Sequence, residues 1–272
     1  LTGDVRYATQ GAALLDRIAE EYPDMDHVKQ SRYGTEIQVG TYQGRILNCI
    51  WETGMARDLA VAYDYLYTGM DGNRALEEAT GKSIARIRQN IEVNLLESAA
   101  QSIYTMDGRI RGNFGMHHSA LATLAIVLDN HMTDRYLDFV LYATGLGSYP
   151  YEGIIMGLSN LVYRDGAPFE SSPGYNSLWI GQFNAVAELF LRRGINVYQQ
   201  EPKLKRLFDY PLKIVMADQF TPNIGDEGSV KAKGITGWRA STYKTAFEQW
   251  DERAYVTGRP LTTASDNMSA YG

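Results

Sequence analysis

Apolar residues recur at helical intervals through most of the chain, and this periodicity is the feature that most limits its fold. The segment 7–22 carries apolar residues three or four positions apart and stops at Pro23, which is typical of an amphipathic helix. Alternation of apolar and polar residues, which marks a half-buried strand, is nearly absent. The sequence therefore predicts an all-α fold.

The same periodicity predicts several further helices. They cover 45–67, 75–104 as one long or bent helix, a start near 113, 133–142, a start near 152, 177–193, 204–220 and 243–255. Short and long loops alternate between these segments, which favours paired antiparallel helices in an array, bundle or ring. Periodicity alone leaves open whether such an array closes on itself.

Length and composition limit the classes of protein that fit. The 272 residues contain no Ser/Pro-rich run or charge block, which favours a single domain over 1–272. The 26 basic and 32 acidic residues argue against nucleic-acid binding through general charge. No apolar run approaches the roughly 20 residues that span a bilayer. The single cysteine, Cys49, excludes an internal disulfide, and no metal or cofactor site is predicted.

The densest group of polar residues stands just before an apolar segment. It reads Arg109-Ile110-Arg111-Gly112-Asn113-Phe114-Gly115-Met116-His117-His118. Asn113 is a good helix N-cap, and His117 follows one helical turn later while His118 points elsewhere. Because a helix start offers free N–H groups and partial positive charge, this stretch with Arg109 and Arg111 predicts a site that receives an anion. The alternative is that Asn113 only caps the helix and that a histidine packs in the core.

Two later loops collect turn-forming residues and carboxylates. Their candidate polar residues are Arg164, Asp165, Glu170 and Tyr175 in the first loop, and Asp226 and Glu227 in the second. A cluster of cations and an aromatic ring follows, with Lys231, Lys233, Trp238 and Arg239. This cluster could hold a polyanion, and the alternative is an ordinary solvated face.

The order of these motifs resembles the helical domain of heparinase II/III-like and alginate-lyase-like polysaccharide lyases. The likeness covers most of the chain and depends on 113–117, Asp165-Gly166, Phe169-Glu170-Ser171, Gly174-Tyr175 and 222–226, together with 7–22 and Ala62-Tyr63-Asp64. It implies an incomplete (α/α) toroid whose cleft binds an acidic, uronic-acid-containing polysaccharide, in a secreted or periplasmic protein. Such proteins carry a β-sandwich domain after the toroid, so the chain is expected to be a fragment of a longer one.

The resemblance also implies a reaction, the β-elimination of a uronic-acid polymer. Asn113 with His117 or His118 would neutralise the sugar carboxylate, and Tyr175 would transfer the proton. Substrate contacts would come from Arg109, Arg111, Arg164, Glu170, Trp179, Trp238 and Arg239. Several relatives place a histidine directly after the asparagine, where this chain has Phe114. Which of the two histidines faces the cleft therefore stays open.

Two other classes of function also fit the sequence. A glycoside hydrolase on a similar helical ring would use a carboxylate pair, which Asp165, Glu170, Asp226 and Glu227 could supply. A non-catalytic carbohydrate-binding module would use the aromatic residues, since the chain contains 19 tyrosines and 4 tryptophans.

Overall fold

The computed structural model describes residues 3–27, 43–144, 152–170, 172–215, 221–225 and 240–257. Within these ranges the chain is mostly helical, at 70%, and contains no strand, which confirms the all-α prediction there. No helix of the described part is long and apolar enough to cross a membrane. The chain divides into two compact units, 1–151 and 152–272, which are described separately. That the whole chain forms one domain stays a prediction.

The first unit is built around one buried helix. Its α-helices are Val5–Glu21, Glu52–Tyr67, Arg74–Thr80, Ile84–Asn90, Ser98–Thr105, Met116–Leu128 and Thr133–Tyr142, with 3-10 turns at Tyr22–Asp24 and Thr68–Met70 and a π-helical segment at Ile91–Glu97. Every residue from Met116 to Ala125 is buried. The helix Met116–Leu128, here called the buried helix, packs on Glu52–Tyr67 and Thr133–Tyr142. A helix covered on all sides is a core element.

The helices Val5–Glu21 and Glu52–Tyr67 form a close antiparallel pair. A Cβ added at Gly11 would lie 2.9 Å from Leu66 Cδ1, and one added at Gly69 would lie 2.5 Å from Ala8 Cβ. At the other end of the pair, the Tyr22 hydroxyl donates to Glu52 Oε1 at 2.7 Å. Residue numbers therefore rise along one helix as they fall along the other, and glycine at two positions lets the backbones approach.

The helix predicted over 45–67 starts later than expected, because side chains hold the residues before it in a turn. The Glu52 carboxylate accepts from the backbone N–H groups of Ile46 and Leu47, at 3.0 and 2.7 Å. Asn48 Oδ1 accepts from the N–H groups of Ile50 and Trp51, each at 3.1 Å. Side chains that bond to the backbone in this way compete with helix formation.

The single helix predicted over 75–104 is wrong, because Gly81 divides it. Arg74–Thr80 ends at Gly81, which has a φ of 68° and donates its N–H to Glu77 O at 2.8 Å. Such a left-handed glycine is a common helix stop. Ser83 then begins the next helix, since its hydroxyl accepts from Arg86 N at 3.3 Å.

The second unit contains a compact set of helices with an aromatic core. They are Ile154–Leu161, Pro173–Arg192, Val197–Gln200, Pro202–Lys213, Ala240–Trp250 and Ala254–Thr257. The rings of Phe208 and Trp250 lie 5.3 Å apart, and those of Tyr243 and Tyr255 lie 5.4 Å apart, both edge to face. The helix predicted over 177–193 begins earlier than expected, because Pro173 suits a first helical turn. The end of the one predicted over 204–220 lies partly outside the described residues.

A tight turn follows Ile154–Leu161 and is fastened to Pro202–Lys213. Tyr163 N donates to Ala167 O at 2.8 Å, and Gly166 N donates to Tyr163 O at 3.1 Å. Three cations of Pro202–Lys213 donate to carbonyls in and beside the turn: Lys203 to Ser159 O and Val162 O, Arg206 to Arg164 O, and Lys213 to Asp165 O. Hydrogen bonds from charged donors are the stronger kind, so the turn has a defined position on the helix.

Gly166 is the residue that this contact requires. Its φ is 95°, and a Cβ added there would lie 1.9 Å from Arg206 O. We expect Gly166→Ala to lower the free energy of unfolding by at least about 2 kcal/mol, because the backbone must move and a left-handed φ is strained. Chemical denaturation followed by circular dichroism measures this loss.

Gly181→Ala is the matched control for Gly166→Ala. Gly181 lies inside Pro173–Arg192, and a Cβ added there meets nothing within 4 Å. Alanine there should stabilise the helix by roughly 0.5–1 kcal/mol. Equal effects at the two positions would contradict the close approach of Gly166 to Arg206.

Candidate functional site

The group of polar residues predicted to receive an anion lies at the start of the buried helix. The helix begins at Met116 and its N-cap is Gly115, with a φ of 91°. The prediction that Asn113 caps the helix is therefore wrong. Asn113 lies in the turn before it, where its carbonyl accepts from Met116 N at 2.9 Å. The chain reverses at a conformation that glycine adopts readily, so the helix starts two residues later than the sequence suggests.

His118, three residues after the N-cap, supplies the side-chain acceptor that Asn113 was expected to supply before the helix. Its Nδ1 accepts from the Gly115 backbone N–H at 3.2 Å, which covers one of the donors that a helix start leaves free. An accepting Nδ1 carries no proton, so the neutral imidazole carries its proton on Nε2. The Phe114 ring meets the His118 ring edge to face, with centroids 4.9 Å apart.

The two histidines are in contact, and both are buried. Their ring centroids lie 4.2 Å apart at an interplanar angle of 34°. The exposed fraction is 0% for His117 and 1% for His118, whereas Asn113 is half-buried. Of these three residues, Asn113 is therefore the one that a ligand can reach without rearrangement of the core.

Arg109 fixes the loop before the buried helix. Its Nη1 donates to Gly44 O and Ser98 Oγ at 3.1 and 3.0 Å, and its Nη2 donates to Ser98 O. The Arg109 carbonyl in turn accepts from Nη1 of the fully buried Arg45 at 2.8 Å. These contacts direct the Arg109 guanidinium toward the protein backbone.

Further bonds tie the same loop to neighbouring elements. Asp107 Oδ1 accepts from the Ser102 hydroxyl at 2.6 Å and from Arg109 N at 2.8 Å. Arg111, which is half-buried, donates its N–H to Cys49 O at 2.9 Å. A Cβ added at Gly112 would lie 2.6 Å from Met116 Cβ, so the loop packs directly on the helix it precedes. Asn113 is thus presented by a well-fixed backbone.

A buried acid connected to this loop through Arg45 was not predicted. Glu52 accepts from the Tyr22 hydroxyl and from two backbone N–H groups, and it is fully buried. Burial raises the pKa of the Glu52 carboxyl, while these hydrogen bonds and Arg45 act in the opposite direction. Burial and the neighbouring Glu52 hold the pKa of Tyr22 well above its ordinary range. The sequence gives no signal for this cluster, because its members are 30 positions apart.

In the second unit, Tyr175 lies in the first turn of Pro173–Arg192 and is half-buried. The next residue, Asn176, is buried, and with its amide nitrogen turned to the preceding loop it donates to Glu170 O at 2.6 Å and to Ser172 O at 3.1 Å. Glu170 Oε1 accepts from Ser172 N at 3.3 Å. These bonds fix the loop against the helix that carries Tyr175.

Two other candidate residues of the second unit differ in burial: Arg164 lies at the surface and Trp179 lies in the core. Arg164 is exposed in the tight turn, where its carbonyl accepts from Arg206. Trp179 is 1% exposed and its ring lies 6.2 Å from that of Phe183, so the indole belongs to the core. Candidates that lie outside the described residues are Asp226, Glu227, Lys231, Lys233, Trp238 and Arg239. In the part that is described, no three His, Cys, Asp or Glu side chains are grouped closely enough to hold a metal ion.

No protein-family model matches the chain, and no curated protein sequence matches it. The resemblance to polysaccharide lyases therefore depends on the residues that carry it. The catalytic and substrate-binding roles assigned to individual residues stay predictions.

The bond from Gly115 to His118 can be tested by substitution. His118→Leu keeps apolar bulk but removes the acceptor, which should lower the free energy of unfolding by about 1–3 kcal/mol because a buried N–H loses its partner. His118→Asn keeps an acceptor near the position of Nδ1 and should lose less. Urea denaturation compares the two variants. If His118→Asn is less stable than His118→Leu, packing of the His118 ring contributes more to the free energy of unfolding than its hydrogen bond does.

The Glu52 carboxylate should be essential for the stability of the fold, because it accepts hydrogen bonds from buried donors. Glu52→Ala leaves two backbone N–H groups and the Tyr22 hydroxyl without their acceptor, and should cost about 2–4 kcal/mol of unfolding free energy. Glu52→Gln should keep most of the stability, since the amide oxygen can accept from the backbone while the amide nitrogen donates to the Tyr22 oxygen. Thermal and chemical denaturation measure both losses.

The raised pKa of Glu52 also predicts a pH dependence. The folded state keeps the Glu52 proton to a higher pH than the unfolded chain, whose Glu pKa is about 4.3. The contribution of Glu52 to the free energy of unfolding therefore grows as the pH falls from above the folded-state pKa toward the unfolded-state pKa. Wild type should therefore gain stability relative to Glu52→Gln between pH 7.5 and pH 5. A difference that shrinks on acidification would show that hydrogen bonding outweighs burial.

Proposed function

We propose that the protein is a polysaccharide lyase that cleaves an acidic, uronic-acid-containing polysaccharide by β-elimination. The observation that carries the proposal is the position of Asn113, half-buried on a fixed loop at the start of the buried helix. The mostly helical fold and the order of the motifs along the chain add support. The proposal includes an incomplete (α/α) toroid of paired antiparallel helices, an associated β-sandwich domain and a secreted or periplasmic location.

The chemistry begins with the carboxylate of the sugar. The proton on the carbon beside it is only weakly acidic, because its removal places a second negative charge next to the first. The Asn113 amide donates to the carboxylate and stabilises the charge that develops there. The C–H bond then breaks, a carbon–carbon double bond forms, and the bond to the 4-linked oxygen breaks as that oxygen takes up a proton.

In this proposal the two histidines act mainly through Asn113. His118 fixes Gly115, two residues after Asn113, and His117 packs against the His118 ring. Both imidazoles are buried, so they hold the loop in position while the amide contacts the sugar. Preorganised donors of this kind contribute because they need no rearrangement during the reaction.

Tyr175 is proposed to transfer the proton. Its place in the first turn of Pro173–Arg192 puts it near the positive end of the helix dipole, which stabilises negative charge. Phenolate is the form that removes a proton, and phenol is the form that returns one to the leaving oxygen. Arg164, exposed in the preceding turn, is suited to a second contact with an anionic polymer.

Elimination leaves a conjugated, unsaturated uronate whose ultraviolet absorbance reports the reaction. The full chain is incubated with alginate, heparan sulfate or chondroitin sulfate, beside Asn113→Ala and Tyr175→Phe. Each variant should lower the rate by at least about 100-fold, the usual size of a lost proton-transfer group or charge-stabilising donor. Tyr163→Phe, at an exposed tyrosine of the second unit, is the matched control and should keep full activity.

Other outcomes of this experiment favour other functions. New reducing ends without the ultraviolet signal would indicate a glycoside hydrolase, for which Asp165 and Glu170 are the described carboxylate candidates. Binding of the polymer without either signal would indicate a module that holds sugar. The burial of both histidines is the observation that favours this last alternative.

A further inference from the structure

An open pocket lies in the first unit, where the start of Val5–Glu21 meets the end of Glu52–Tyr67. Its volume is about 370 Å³. The lining residues used below are Asp4, Tyr7, Ala8, Tyr65, Thr68 and Gly69. None of them belongs to the group around Asn113, so the pocket is a separate feature of the unit. Its size is at the lower end of the roughly 300–1,000 Å³ that small-molecule sites occupy.

Two tyrosines dominate the pocket and are unusually exposed. Tyr7 is 63% exposed and Tyr65 is 64% exposed, and each comes from a different helix of the antiparallel pair. Tyr22, just after the first of these helices, and Tyr63, within the second, are by contrast at most 1% exposed. Exposure of two large aromatic residues in one concave site leaves apolar ring surface in water, which is the usual mark of a binding surface.

Two of the lining residues, Ala8 and Gly69, are small and lie against each other. Gly69 and Ala8 approach so closely that a Cβ on Gly69 would lie 2.5 Å from the Ala8 Cβ. A larger residue at position 69 would therefore clash with Ala8. The close approach brings the ends of the two helices together with Tyr7 and Tyr65 on them.

The polar part of the pocket contains the Asp4 carboxylate, which forms an ion pair with the Arg6 guanidinium. Asp4 accepts from Arg6 N at 3.0 Å and from Arg6 Nη2 at 2.6 Å. These bonds lower the pKa of the Asp4 carboxyl, so it stays a carboxylate near neutral pH. The Arg6 Nε also donates to both Asp4 oxygens, each at 3.0 Å, so the pair offers guanidinium N–H donors beside carboxylate acceptors. Thr68, which is exposed, adds a hydroxyl that can donate or accept.

We propose that this pocket binds a neutral pyranose unit of an oligosaccharide. The C–H faces of a pyranose ring are flat and apolar and suit the ring faces of Tyr7 and Tyr65, as aromatic side chains combine an apolar face with a polar edge. The sugar hydroxyls are partners for the Thr68 hydroxyl and for the Asp4–Arg6 ion pair. Because Asp4 and Arg6 together carry no net charge, the pair does not favour a uronate, and the proposed ligand is the neutral sugar. The site goes beyond the proposed elimination and does not depend on it.

Saturation-transfer NMR on the full chain tests the site, with cellotetraose and maltotetraose as neutral probes and tetragalacturonate as the charged comparator. Tyr7→Ala and Tyr65→Ala should each weaken binding of a neutral probe by about tenfold, because a stacking face is lost. Tyr7→Phe and Tyr65→Phe keep the face and should bind within about twofold of wild type. Tyr142→Ala, at a tyrosine that is 58% exposed and outside the pocket, is the control and should have no effect.

A charge variant separates this site from the proposed elimination. Asp4→Asn keeps an N-cap side chain but leaves the Arg6 guanidinium without its carboxylate, so it should reduce the preference for neutral over charged probes. Asn113→Ala should leave binding of the neutral probes unchanged, whatever it does to elimination. The proposal is overturned if neither neutral probe binds, if the tyrosine-to-alanine variants bind as wild type does, or if tetragalacturonate binds wild type more tightly than both neutral probes.

Discussion

The structure of the first unit depends on burying the N-terminal end of the helix Met116–Leu128. A helix start leaves four backbone N–H groups without partners, and in a core no water can satisfy them. Two of these groups have partners that the turn at Gly115 makes possible: the Gly115 N–H donates to His118 Nδ1, and the Met116 N–H donates to Asn113 O. The loop before the helix must then stay in place, and Arg109 fixes it by donating to Ser98 and Gly44. Two residues of the polar stretch are thus structural.

The same need to satisfy backbone groups shapes the second unit. There the loop carbonyls, rather than helix N–H groups, require partners, and Lys203, Arg206 and Lys213 supply them from one helix. Gly166 permits the close contact because it has no Cβ. Charged side chains in both units therefore bind the protein's own backbone, which explains why counting cations in a sequence overestimates the number available to an anionic ligand.

The structural roles of Arg109 and His118 change how the candidate site around Asn113 is understood. Asn113 is half-buried while the histidines beside it are buried, so a ligand reaches the amide more readily than either imidazole. Glu52 adds a buried acid whose acceptor atoms hold the turn before its own helix. The exposed tyrosines, Tyr7 and Tyr65, lie apart from this group and mark a separate surface. One unit thus combines a fixed polar loop with an aromatic pocket.

The sequence by itself determined the helical class and most helix positions, because amphipathic periodicity records which side of each helix is buried. The helix Thr133–Tyr142 has the predicted bounds, and Val5–Glu21 differs from its prediction by a residue or two. The tertiary structure decided the helix starts at Glu52 and Met116 and the direction of the Arg109 guanidinium. Those features depend on hydrogen bonds between residues far apart in the chain, such as Arg109 with Gly44, and local periodicity contains no information about such partners.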